Sequence, residues 1–303
     1  MRFSHVFIPM VMNSLKRGEF VYKIILTFLF IQLTLASSIP ENNILRPVLN
    51  KSDEQRNTFF ELVRKVEYAY KDLIESYGKI FTVTADWEES KVNAAAWIKG
   101  DSYNFKIFGG LYRFETITDD AFLLVACHEV GHLIGGAPTY KPFDDASSEG
   151  QADYFSISKC FRRVVSGEDH EAGLMNKPLD PLALSECAES FDRESEQYLI
   201  CLRSSLAISD MANTLKELSN MDFAPRIDTP DSYVRMFIIF NGYPNPQCRV
   251  DTLFAGSLCQ VSHDDENDFG LKLYNKGNCS VEAGHTRGLR PKCWYVERGE
   301  DNE

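Results

Sequence analysis

The stretch from Asp119 to Ile134 constrains the chain most, because it is apolar nearly all the way round yet contains His128, Glu129 and His132. A helix that is hydrophobic on every face has to be buried, so the fold must enclose two imidazoles and a carboxylate. Local signals mark both ends. Thr118 is placed to cap the helix, Asp119 and Asp120 fall in its first turn, and Gly135-Gly136 reads as a helix stop. Positions i and i+4 share one face, about 6 Å apart along the axis, so His128 and His132 can reach a single metal ion. Zinc takes neutral imidazole nitrogens at about 2.0–2.1 Å and, in a catalytic site, keeps one coordination position for water. Glu129 lies beside the pair, where it can bond that water and act as general base.

A third ligand is expected from Glu149-Gly150-Gln151-Ala152-Asp153, which begins 17 positions after His132. These residues open a second helix, expected over Ser147 to Arg162, and again place two carboxylates at i and i+4. Glu149 is the expected ligand, and Asp153 the acceptor for the second ring N–H of a ligand histidine, which fixes that ring's tautomer. Elsewhere, Phe59, Leu62, Val63, Val66, Tyr70 and Leu73 recur at helical spacing within Ser52 to Tyr77. Phe81 to Ala85, Val92 to Ile98 and Tyr103 to Phe108 read as a small sheet with a hairpin at Lys99-Gly100-Asp101. Further helices are expected over Glu194 to Leu218 and from Thr229-Pro230-Asp231 to Phe240, followed beyond Cys259 by a loop-dominated tail.

Lys+Arg 32 against Asp+Glu 44 gives a net charge of -12 with no basic block, which argues against nucleic acid and anionic membrane as partners. Lys16, Arg17 and Lys23 precede an apolar run, Ile24 to Leu35, that ends in Ala36-Ser37-Ser38. Residues 1–38 therefore read as a signal peptide. The expected protein is exported, periplasmic or secreted, without stable membrane insertion once the signal is removed. Residues 39–260 are expected to form the main domain and 261–303 a cysteine-containing tail. Eight cysteines suit an oxidising compartment, and none lies in a CxxC pair. Cys279 with Cys293 is a plausible staple, Cys127 reads as a small buried thiol, and His170, His263 and His285 read as solvated loop residues.

The string HExxH followed by ExxAD resembles the gluzincin metallopeptidases, and the variant is similar to the HtpX and CAAX-prenyl-protease group. Upstream, Val92-Asn93-Ala94-Ala95-Ala96, Phe108-Gly109-Gly110-Leu111 and Asp119-Asp120 before Val125-Ala126 follow that group's order and approximate spacing. The resemblance implies an α+β, zincin-like fold with a small mixed sheet, an active-site helix and a mainly helical C-terminal half. It further implies one zinc per chain and endopeptidase activity on a peptide or protein substrate. Asn93, Ala94 and Ala96 would then lie on an edge strand that pairs with the substrate backbone, while neighbouring Trp97 suits either core or cleft. Downstream, Tyr243-Pro244 with Arg249-Val250 and Leu253 resembles the group's His-Pro motif and trailing Arg, with Tyr243 in place of His. Tyr243 and Arg249 are thereby expected to face the site and to meet charge developing on the substrate oxygen. That group spans membranes several times, whereas nothing after residue 38 is long and apolar enough to do so, and its prenylated substrates do not carry over. The alternative is an exported, catalytically impaired binding or chaperone-like protein on the same scaffold.

Overall fold

A computed structural model describes residues 39, 42–48, 53–140, 146–240, 242–265, 267 and 273–297. The expected signal peptide, 1–38, lies outside them. Helix α1 (Asp53–Ser76) buries Phe59, Leu62, Val63, Val66, Tyr70 and Ile74 along one face, as the three- and four-residue spacing dictates. Three strands follow: β1 (Ile80–Asp86), β2 (Ala94–Lys99) and β3 (Ser102–Phe108). They form a mixed sheet in the order β1-β3-β2, with β1 parallel and β2 antiparallel to β3. Gly100, at φ +60°, lets the chain turn between paired Lys99 and Ser102. Strand β2 begins later than its apolar pattern suggests, and Ser90 and Val92 before it bond to the segment preceding α1. Val92 N donates to Ile44 O at 3.2 Å, and Arg46 N to Ser90 O at 2.7 Å.

After the short helix α2 (Gly109–Tyr112) comes α3 (Asp119–Ile134), buried from Ala121 to its end. Thr118 Oγ1 accepts from Ala121 N, and Gly135 caps the far end with its N–H on Gly131 O. Helix α3 is the hub of the fold, packing against α1, β2 and β3 on one side. On the other it meets α4 (Glu149–Phe155), the π-helical Ser156–Phe161 that continues α4, and α8 (Glu196–Leu218). The expected helix from Ser147 is therefore two turn types in one rod, which ends with α5 (Arg162–Val165). Helices α6 (His170–Leu174), α7 (Pro181–Ser190) and α9 (Pro246–Ser257) complete the helical half. The architecture is α+β, and no helix among the described residues is long and apolar enough to cross a membrane.

Four expectations need correction. No helix forms over 229–240. The run is rich in β-branched and aromatic residues, and its backbone is tied to the tail by Arg235 N on Lys292 O (2.8 Å) and Ile239 N on Trp294 O (2.9 Å). Cys279 does not pair with Cys293; the bonds are Cys248–Cys293 and Cys259–Cys279, alongside Cys127–Cys160 and Cys187–Cys201. Cys127 is accordingly no free thiol, because helix packing sets its Cα 5.4 Å from that of Cys160. His170 is not solvated but buried, with Nε2 3.3 Å from Glu196 Oε1 and Nδ1 3.4 Å from Arg203.

Candidate metal centre

Each imidazole of α3 is oriented from behind by an oxygen. His132 Nδ1 donates to the Ser147 carbonyl at 2.8 Å, which leaves the lone pair of the neutral ring on Nε2. His128 Nδ1 donates to Asp153 Oδ1 at 2.7 Å, with the same consequence. Asp153 is itself gripped by Arg249 of α9, Nε on Oδ2 and Nη2 on Oδ1, both at 2.8 Å. The result is a buried Arg249–Asp153–His128 relay. It charges the carboxylate and turns the ring inward; although burial opposes ionisation, Arg249 and His128 hold Asp153 well below the usual carboxylate range.

The inward-facing atoms then converge. His128 Nε2 lies 2.9 Å from His132 Nε2 and 3.1 Å from Glu149 Oε2, which is 3.7 Å from His132 Nε2. With both rings neutral and turned as their rear partners set them, three acceptors would meet with no hydrogen between them. Such a donor set is repulsive unless a metal ion or a proton sits in it. A proton alone would lodge on one ring: burial lowers the basicity of His128, but Asp153 and Glu149 outweigh it and lift its pKa to about 9. Burial instead drives His132 down to about 4. The three ligand atoms lie within 4.8 Å of one another, so the group has the donors and the convergence for a metal ion. The other such cluster among the described residues, Asp231 with Cys248 and Cys293, has no thiolate to offer, because its two sulfurs are bonded to each other.

Glu129 is fully buried on the same turn as His128. Tyr243 is 39% exposed, and the Arg249 guanidinium carbon lies 5.6 Å from its ring centroid. Burial and then the Glu149 charge raise the Tyr243 pKa, so its hydroxyl stays protonated at neutral pH. Arg249 faces the centre through Asp153. Ala94 and Ala96 are buried, and Asn93 precedes them with Oδ1 accepting from Ala94 N at 2.9 Å. Ala94 and Ala96 lie on the edge strand of the sheet, which packs on α3. Trp97 is half-buried on the same strand.

Sequence reasoning missed Tyr140. Its hydroxyl donates to Glu149 Oε1, and its ring stacks on that of His132 with centroids 5.7 Å apart and planes 21° apart. No local pattern announces it, since it stands in a turn where a tyrosine is unremarkable. Also missed was the tail's part: Arg290 Nη1 donates to Gln151 Oε1 at 3.0 Å, and Trp294 lies where a side chain on Gly150 would be. Compared with protein-family profiles, with characterised proteins and with solved structures, the chain matches none.

Proposed function

We propose that the protein is a zinc-dependent endopeptidase of the gluzincin type, with a zincin-like arrangement of its sheet and ligand-bearing helices. The observation that carries this reading is the meeting of two imidazole nitrogens and a carboxylate oxygen, each oriented from behind by a neighbouring group. His128, His132 and Glu149 would hold the ion; two nitrogens and one oxygen are a ligand set that zinc accepts in hydrolytic sites. Bound there, zinc supplies Lewis acidity, polarising a carbonyl and making water acidic enough to attack near neutral pH.

The chain's own groups do the rest. Glu129 accepts the proton of the attacking water as the new C–O bond forms, and delivers it to the leaving amine as the C–N bond breaks. Asp153, braced by Arg249, keeps the His128 ring turned so that Nε2 would face a bound ion. Arg249 is thus assigned to positioning, while protonated Tyr243 would donate to the developing oxyanion. An extended peptide would lie along the backbone of β2 at Ala94 and Ala96, whereas Asn93 O already accepts from Phe108 N of β3 at 3.3 Å.

The test is cleavage of a proteome-derived peptide mixture, followed by mass spectrometry, for the zinc-loaded parent and for Glu129→Gln. The parent should yield discrete products that a chelator suppresses, and the variant should retain zinc and yield none. Cleavage by the variant at the parental rate, or no cleavage by the parent, would refute the reading.

A further inference from the structure

The two oxygens of Glu149 have different partners. Oε2 faces His128 Nε2 at 3.1 Å and His132 Nε2 at 3.7 Å, while Oε1 is turned away and accepts from the Tyr140 hydroxyl. The carboxylate can rotate about its last C–C bond, and the Tyr140 hydroxyl, by holding Oε1, keeps that oxygen turned away from the two rings. The ring of Tyr140 is fixed by its stack on His132. Around it, Tyr140 N donates to Ala146 O (2.9 Å) and Ser148 N to Pro138 O (2.8 Å), with Thr139 and Ser147 bridged. Ser147 N donates to His132 O at 2.9 Å, and Ser147 O accepts from His132 Nδ1 at 2.8 Å. Tyr140 and Ser147, both between α3 and α4, therefore orient two of the three ligands, His132 through a carbonyl and Glu149 through a phenol.

We infer that Tyr140 is a positioning residue of the metal centre: its hydroxyl restrains Glu149 to offer a single oxygen, and its ring holds His132 in register. This rests on the zinc reading above. It also separates the two tyrosines of the site, since Tyr140 acts on a ligand whereas Tyr243 acts on substrate.

The experiment measures zinc affinity by chelator competition for the parent, Tyr140→Phe, Glu149→Ala and the double variant, with urea unfolding of each metal-free protein alongside. Tyr140→Phe keeps the stack and removes the hydroxyl, so zinc affinity should fall about 10- to 100-fold, the usual loss when a ligand's supporting partner goes. Metal-free stability should hold near the parental value. In the Glu149→Ala background the same substitution should have no further effect on affinity, because its route to the metal is gone. The electronic spectrum of the cobalt-substituted protein should also change with Tyr140→Phe, as the freed carboxylate alters the coordination. Parental zinc affinity in Tyr140→Phe, or an equal loss with and without Glu149, would overturn the inference and leave the zinc reading standing. A parent with no zinc affinity would overturn both.

Discussion

Helices α3 and α4 bring their ligands to the same point but are held there in different ways. Helix α3 is buried from Ala121 to Ile134 among apolar neighbours, and its caps, Thr118 and Gly135, are adjacent in sequence. Helix α4 is also buried over all seven residues, but Ser148 makes no side-chain cap and the helix is held by distant polar partners. Gln151 Nε2 donates to Asn278 Oδ1 at 3.2 Å, Tyr154 Oη to Gly288 O at 2.5 Å, and Asp153 accepts from Arg249. A Cβ on Gly150 would meet the Trp294 ring at 2.4 Å, so the tail is seated directly on this helix. The two histidines are thus placed by hydrophobic burial that local sequence encodes. Glu149 is placed by a polar network that closes only when the last part of the chain has docked.

If this contrast is right, damage to the network should cost more than damage to the local signals of α3. The largest effect is expected from Arg249→Met, which leaves Asp153 buried and charged without its partner. A loss of about 3–5 kcal/mol in urea unfolding of the metal-free protein is expected; less than about 1 kcal/mol would mean that the relay does not brace α4. Next comes the covalent tie between the two regions, Cys127–Cys160, which joins the residue before His128 to the π-helical continuation of α4. Replacing both cysteines by alanine should cost about 3 kcal/mol and weaken zinc binding, as measured by the same unfolding and competition assays.

A smaller, pH-dependent effect is expected at Lys159, which is buried with Nζ on Ser262 O at 2.5 Å. Burial, with Arg162 and Arg163 nearby, lowers its pKa to about 7. Between that value and the ordinary lysine range near 10, the unfolded chain binds a proton that the native protein does not. Stability should therefore rise with pH across this window, by on the order of 1 kcal/mol per unit at most. Lys159→Met should flatten that rise in unfolding curves at pH 7.5 and 9.5, chosen to bracket roughly this window. The smallest effect belongs to α3: Thr118→Ala should cost about 1 kcal/mol in the same unfolding assay. Its zinc affinity should be unchanged, because packing keeps the helix in place.

The contrast also explains what could be read from the sequence. Helix α1, the three strands and α3 follow from periodicity and turn residues, and Glu149 and Asp153 from spacing that repeats the histidine pair's. The run from Thr229 to Phe240 misled because its helix-start signal is local, whereas the backbone of residues 292–294 that ties it down is not. The cysteine partners, the burial of His170 against α8 and the hydroxyl of Tyr140 are likewise properties of neighbours brought together by folding. No pattern within a short window encodes them.

The most direct test of the central claim is a crystal of the zinc-loaded protein with anomalous data collected on both sides of the zinc absorption edge. One peak per chain is predicted, within bonding distance of His128 Nε2, His132 Nε2 and a single oxygen of Glu149. Well-ordered density for those side chains with no anomalous peak among them would contradict the account.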